Sequence, residues 1–205
     1  MNLNKLIIAA ALIAATSAAA FGAAVPEIDP NKLSEAEVAT TDLSKPGAAG
    51  KTYFAATVIN ATVPRLCAIL SDFSDYPSFM PNTDKAVVLQ SGGEYAVVDI
   101  TLKLALGKIK KYRLKMESKS SAQSCYLGWQ MIPRPELTPA ETIADTSGYW
   151  ELSPLPSNRN KTVVKYYVYS DPGPVPLGLG WIVDALGKEG MPKALEALRG
   201  KARVN

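Results

Sequence analysis

Carboxylates are the main side chains of this sequence that could transfer protons, because the chain contains no histidine. That composition excludes Ser-His-Asp and Cys-His catalysis, histidine proton shuttles and nearly all zinc sites. Asp72, Asp75, Glu141 and Asp145 are the carboxylates to consider as acid or base groups. Their spacing forms no catalytic pair, and a surface charge or a helix-terminal group is the better explanation for each one. The sequence therefore assigns no catalytic residue.

Cys67 and Cys125 are the two cysteines of the chain. In an exported protein they could form a disulfide, and the alternative is two buried free thiols. Two cysteines alone do not make a metal cage, and the sequence has no Asp-x-Asp-x-Asp-Gly calcium loop. We therefore expect neither a metal ion nor a cofactor.

Three tyrosines lie close together on one predicted strand near the end of the chain. Strand alternation places Tyr167 and Tyr169 on one face and Tyr166 on the other. An inward-facing tyrosine would offer its hydroxyl to the polar group of a ligand. The alternative is that these residues only favour β structure and pack. We take Tyr167 as the candidate ligand contact.

Two further strands and the last helix carry apolar stripes that could line a binding site. Between residues 111 and 117 charged and apolar residues alternate, which predicts a strand with one wet face, carrying Lys111 and Arg113, and one dry face. Cavities and solid cores are lined by the same residue types, so ordinary core packing is the alternative. The candidate ligand-binding residues are Tyr112, Leu114, Met116, Leu127, Trp129, Met131, Tyr167, Trp181, Ile182 and Ala185.

The first 24 residues have the layout of a secretory signal peptide. Lys5 supplies the positive charge, Leu6–Ala15 is apolar, and small residues follow. The alternative, a membrane anchor, would need roughly 20 strongly apolar residues. We expect residues 1–24 to be cleaved and the protein to be exported, to a periplasm or to the outside of the cell.

The remaining chain is nearly balanced in charge. Removing Lys5 lowers the count of Lys and Arg from 22 to 21 against 19 acidic residues, which leaves a formal net charge of +2. Nucleic-acid binding requires clustered positive charge, so we expect no nucleic-acid partner.

The order of predicted elements is one strand, a helix, many antiparallel strands and a long C-terminal helix. Residues 25–50 are rich in proline and glycine, and we expect a flexible N-terminal extension there. Short turns, such as the one at residues 91–93, join strands into a sheet of about seven strands. The last helix has an apolar first half and an expected interruption at Gly187 to Gly190.

Two segments resemble the START-like helix-grip superfamily, also called SRPBCC, which includes polyketide cyclase-like and coenzyme Q-binding START proteins. One is Val63–Pro81, with its Tyr-Pro and Met-Pro turns, and the other is Gly148–Arg199. The resemblance implies an α+β fold over residues 51–205, in which a curved antiparallel sheet wraps around the C-terminal helix. It also implies a cavity between sheet and helix.

The resemblance, together with the signal-peptide pattern, predicts an exported protein that binds or carries a hydrophobic small molecule or lipid. The segment Pro172–Gly180 would form a lid that contacts membrane lipid transiently, or else a rigid connector. One alternative is an enzyme similar to polyketide cyclases and dehydratases, although no family catalytic motif matches here, and we favour a protein without enzymatic activity. A further alternative is an interaction module with a filled core.

Overall fold

The computed structural model describes residues 25–174 and 185–204 of the chain. One antiparallel sheet of eight strands dominates it, in the order β1-β2-β8-β7-β6-β5-β4-β3. The predicted α+β architecture is confirmed, with one strand more than the sequence indicated. The strands are β1 (Ala39–Asp42), β2 (Lys51–Ile59), β3 (Thr83–Gly92), β4 (Tyr95–Lys103), β5 (Ile109–Ser120), β6 (Cys125–Ile132), β7 (Asp145–Leu155) and β8 (Asn158–Asp171); the helices are α1 (Val63–Ser71) and α2 (Gly190–Arg203).

Strands β3 to β8 form a meander in which each strand pairs with the next along the chain. The first long strand, β2, instead pairs with the last, β8, so the chain must cross from β2 to the far edge before β3 begins. Helix α1 and the 3-10 turn Phe73–Ser78 make that crossing. The crossing brings α1 against β6 and β7, where it covers one end of the sheet's inner face.

Helix α1 begins at Val63, directly after its N-cap residue Thr62. Pro64 occupies the first turn, where its missing N–H costs little. Leu66 and Leu70 are fully buried beneath the helix. Cys67 of α1 and Cys125 of β6 form a disulfide, with 5.9 Å between their Cα atoms. This bond holds α1 to the sheet at the end that the helix covers.

The inner, concave face of the sheet contacts both helices, and the outer, convex face carries a second apolar cluster. That convex cluster consists of Phe54, Ala56, Tyr149 and Tyr167. Residues 25–43 cover it with the side chains of Val25, Ile28, Leu33 and Leu43. Within the residues predicted as an extension, 25–50, the structure thus shows strand β1 at the sheet edge and an apolar cover over the convex face.

Helix α2 packs its apolar side inward, with Leu195 and Leu198 fully buried. Where the sequence predicts an interruption, the π-helical turn Ala185–Glu189 runs directly into α2. Gly187 is needed in this turn, because a Cβ there would lie 2.2 Å from the ring of Tyr53. The backbone is therefore helical through the predicted interruption, whereas α-helical geometry begins only at Gly190, with Pro192 in the first turn.

A buried hydrogen-bond network joins α2 to the N-terminal segment. Arg199 donates to Thr57 Oγ1 at 2.7 Å and to a carboxylate oxygen of Glu196. The Thr57 hydroxyl in turn lies 3.0 Å from the Ser34 carbonyl oxygen and 2.8 Å from that of Glu37. The edge of the sheet, its N-terminal cover and α2 are thus fixed relative to one another.

Within the two described ranges, the helices are too short or too polar to cross a membrane. The predicted signal peptide, residues 1–24, lies outside the described residues.

Candidate functional site

A cavity of about 360 Å³ lies between the concave face of the sheet and the start of α2. Its size is at the lower end of the roughly 300–1,000 Å³ typical of small-molecule sites. Strands β2, β4, β5, β6, β7 and β8 all contribute inward-facing residues. The lining is mostly apolar, and its apolar and aromatic members include Tyr53, Tyr76, Met80, Ile100, Leu102, Tyr112, Leu114, Met116, Trp129, Ile143, Trp150, Tyr166, Val168, Met191 and Ala194.

Three aromatic rings form the central part of the wall. Trp150 and Tyr166 are cross-strand partners and stack with ring centroids 3.8 Å apart. Trp129 lies against the same tyrosine at 5.8 Å. Gly148 makes room for this arrangement, because a Cβ there would lie 2.3 Å from the Trp129 ring. Mutual packing of the rings gives a rigid apolar surface for a ligand.

Three tyrosine hydroxyls supply polar groups to this wall. Burial raises the pKa values of Tyr76, Tyr112 and Tyr166 above the ordinary 10.0, so all three are neutral at physiological pH. The Tyr76 hydroxyl donates to the Leu70 carbonyl at 2.7 Å. The other two hydroxyls form no hydrogen bond with any residue that the structure describes. They can donate to a ligand, whereas their raised pKa makes them poor general bases.

Lysines line one end of the cavity. Lys51 and Lys108 are exposed, and Lys110 is half-buried. The Lys110 ammonium donates to the carbonyl oxygens of Pro139 at 2.9 Å and Thr142 at 2.5 Å. Burial, and secondarily the charge of Lys108, lower the pKa of Lys110. This end of the cavity is polar and positive, unlike the aromatic centre.

Four of the predicted ligand-binding residues line this cavity: Tyr112, Leu114, Met116 and Trp129. Strand alternation places the first three on one face of β5, and Trp129 of β6 pairs with Met116. The dry faces of the two strands were therefore assigned correctly, and they meet at the cavity wall.

Three predicted residues lie elsewhere. Leu127 is fully buried in the core between the sheet and α1, and Met131 packs at the margin of that core. Tyr167 belongs to the convex cluster, and its neighbour Tyr166 faces the cavity instead. The prediction for Tyr167 is wrong because alternation separates the two faces of a strand but does not say which face is concave.

The helix candidates cannot be placed in the same way. Trp181 and Ile182 lie outside the described residues, as do residues 175–180 of the predicted lid. Of Ala185 only the backbone is described, at the start of the π-helical turn. Met191 and Ala194 are the described α2 residues that line the cavity.

The lysines and Tyr76 are site residues that the sequence reasoning missed. Lys110 is in phase with the dry positions 112, 114 and 116 of its strand, and Lys51 is in phase with the buried Tyr53. The signal in the sequence that could have identified these lysines is a charged residue at a strand position where the alternation is otherwise apolar. Tyr76 enters the cavity from the 3-10 turn after α1, a placement that no local pattern indicates.

The carboxylates considered as acid or base groups lie outside the described lining of the cavity. Asp75 pairs with Lys201 at 2.7 Å, and this contact lowers the pKa of its carboxyl group. Glu141 accepts hydrogen bonds from Thr138, which lower its pKa. Asp72 and Asp145 are exposed. Within residues 25–174 and 185–204, no group of three or more Cys, Asp or Glu side chains could hold a metal ion.

Comparison with known proteins identifies a matching family. A family model described as polyketide cyclase / dehydrase and lipid transport matches residues 59–199. No curated protein sequence matches the chain.

Solved structures share the fold at low sequence identity. A STAR-related lipid transfer protein from Xanthomonas axonopodis is 15% identical, with a TM-score of 0.67 over 81% of this chain and 93% of that one. The Zhui aromatase/cyclase from a Streptomyces species is 16% identical, with a TM-score of 0.59 over 75% and 93%. Human StAR-related lipid transfer protein 5 is 15% identical, with a TM-score of 0.63 over 80% and 81%. The START-like, helix-grip fold predicted from the sequence is confirmed.

Proposed function

This chain belongs to the polyketide cyclase / dehydrase and lipid-transport family, and on that premise we propose that it binds and carries a hydrophobic small molecule or lipid in its cavity. The observation that carries the proposal is the cavity of about 360 Å³ between the sheet and α2, with Trp129, Trp150 and Tyr166 as its central wall. A core filled by its own side chains would leave no such volume.

Apolar burial would supply most of the affinity. Each Å² of apolar ligand surface removed from water contributes about 25 cal/mol. The loss of ligand freedom on binding offsets part of that gain. A wall that is already packed reduces the remaining cost, since Trp150 and Tyr166 are stacked before any ligand arrives. The hydroxyls of Tyr112 and Tyr166 on the cavity wall would orient a polar group of the ligand.

We further propose that the protein works outside the cytoplasm and contacts membrane lipid transiently when its ligand exchanges. The signal-peptide pattern of residues 1–24 supports export. The Cys67–Cys125 disulfide is of the kind that persists in oxidising compartments.

The second candidate function is that of a cyclase- or dehydratase-like enzyme. The specific observation in its favour is that the hydroxyls of Tyr112 and Tyr166, on the cavity wall, form no hydrogen bond with residues 25–174 or 185–204. As neutral donors they could polarise a ligand carbonyl. In this reading the described lining offers tyrosine and lysine, and no carboxylate, for proton transfer.

Native mass spectrometry of the mature protein tests the carrier proposal. We expect a bound species that is released on denaturation and that extracts into organic solvent. Leu102 lines the cavity and Val97 lies on the opposite face of the same strand, so Leu102→Trp should abolish the bound species and Val97→Trp should retain it. Protein without any bound species, which also takes up no added lipid, would contradict the proposal.

Turnover separates the two candidates. If the protein is an enzyme, a poly-β-ketone substrate is converted to product, and Tyr166→Phe reduces the rate while substrate still binds. If the protein is a carrier, the wild type and the Tyr166→Phe variant both bind such a compound and release it unchanged.

A further inference from the structure

The cavity has two chemically different ends. Along β5, Met116 lies toward the end covered by α1, and Lys110 lies at the other end. Lys51, at the start of β2, lies at the same end of the cavity as Lys110. It pairs with Ser170 of β8, which in turn pairs with Thr146 at the start of β7. A ligand that fills this space would meet apolar groups along its body and ammonium groups at one extremity.

Three lysines carry the positive charge at this end of the cavity. Lys51, Lys108 and Lys110 form no ion pair with the carboxylates of residues 25–174 and 185–204. The pKa of exposed Asp42 is lowered first by hydrogen bonds from Ser44 and then by the charges of Lys51 and Lys188. The cavity end therefore favours an anion.

Lys110 has a defined position. Its two hydrogen bonds to the carbonyls of Pro139 and Thr142 fix the ammonium group where the loop after β6 closes over the cavity. A lysine ammonium has three donors, so one remains for a ligand. Lys110 is in phase with the inward-facing residues of β5, so its ammonium group lies at the cavity and not in bulk water.

We propose that the natural ligand is a single-chain amphiphile with an anionic terminal group, a carboxylate or a phosphate, held at the lysine end. This inference rests on the proposed function and specifies its ligand class. The chain of the ligand lies along the aromatic wall toward Met116, and the anion lies among Lys51, Lys108 and Lys110. A single chain fits a cavity at the lower end of the usual size range.

Matched fluorescent probes test the proposal. cis-Parinaric acid and its methyl ester share one chain and differ in charge, and energy transfer from Trp129 and Trp150 reports binding of both. We expect the acid to bind about three- to tenfold more tightly than the ester at low salt, because exposed ion pairs contribute modestly. Added salt should reduce this preference. Displacement by laurate, dodecyl phosphate and dodecyltrimethylammonium then distinguishes carboxylate from phosphate, with the cation as the weakest competitor.

Variants locate the charge effect. Lys51→Met with Lys108→Met should remove most of the preference for the acid over the ester, and a far-UV circular dichroism spectrum like that of the wild type shows that the variant is folded. Lys119→Met is the matched control, since Lys119 is exposed at the other end of β5 and outside the cavity. It should retain the preference.

The outcomes separate this inference from the proposed function. Equal binding of acid and ester overturns the anionic ligand and leaves a carrier of neutral molecules. An acid preference that survives in the double variant overturns the role of Lys51 and Lys108 in binding the anion. If neither probe nor any competitor binds, the carrier function itself fails.

Discussion

Tyr149 and Trp150 are adjacent in β7, yet they face different environments. Tyr149 points to the convex side, where it stacks on Tyr126 and Tyr167 at 5.6 and 5.3 Å. Trp150 points to the concave side and stacks on Tyr166 at the cavity wall. Both faces of these strands carry aromatic rings stacked across neighbouring strands. The structure describes a cavity beside the concave face and a packed cluster on the convex face.

The two aromatic faces differ in the segment that covers them. On the convex side an irregular segment, residues 25–43, lays individual side chains directly onto the tyrosines. On the concave side the cover is helix α2, which is fixed by α1, by β2 and by the Arg199 network. Because these contacts fix the distance between α2 and the sheet, α2 cannot move inward and fill the space between them. Aromatic composition therefore does not determine whether a surface becomes core or cavity, whereas the cover does.

The largest effect should come from removing the disulfide, which anchors the packed end of the concave side. Cys67 and Cys125 are separated by 58 residues, and loop-closure entropy predicts a loss of about 4 kcal/mol in the free energy of unfolding for Cys67→Ala with Cys125→Ala. Urea denaturation with and without reductant measures it. Reductant should destabilise the wild type and leave the double variant unaffected; a loss below about 1 kcal/mol would contradict the anchoring role.

Two leucines on the concave side should distinguish packed core from cavity wall. Leu127 is fully buried outside the cavity, whereas Leu114 lines it. Leu127→Ala should cost about 3–4 kcal/mol, because it leaves a new void, and Leu114→Ala about 2 kcal/mol, because it only enlarges an existing one. Urea denaturation compares them. Equal costs would mean that Leu114 is packed as tightly as Leu127.

A smaller, pH-dependent effect is expected on the polar part of the convex face. Arg113 donates to both carboxylate oxygens of Asp99, at 2.6 and 2.9 Å, and holds the pKa of Asp99 below its ordinary 3.8. A depressed folded-state pKa stabilises the protein above the ordinary value and loses that contribution as pH falls through the folded value. Asp99→Asn should therefore cost about 1 kcal/mol at pH 7.

The loss caused by Asp99→Asn should shrink toward zero as the pH falls below 3.8. Thermal unfolding of variant and wild type across pH 2–7 measures the difference. Glu117→Gln is the control, because Glu117 pairs with Lys115 in a more exposed position, and its effect should be smaller. A constant difference for Asp99→Asn at all pH values would mean that packing, not charge, is lost.

Local patterns in the sequence predicted the element order and the dry face of β5, because strand alternation is a local property. They could not decide between Tyr166 and Tyr167, since the concave side depends on where α1 and α2 pack. The cover over the convex face was also missed, because residues 25–43 contain few large apolar side chains and form little regular structure. The lysine end was not predicted, because the sequence does not show whether an isolated lysine at an inward strand position lines a cavity or extends to solvent.

Titration with the uncharged dye N-phenyl-1-naphthylamine tests most directly the claim that the concave side holds a ligand-sized apolar cavity. We predict one saturable site per protein, with energy transfer from tryptophan. Leu102→Trp should weaken binding at least about tenfold by filling the cavity, and Val97→Trp, on the opposite face of β4, should leave it within about twofold of wild type. Absence of saturable binding in the wild type, or equal binding in both variants, would contradict the account.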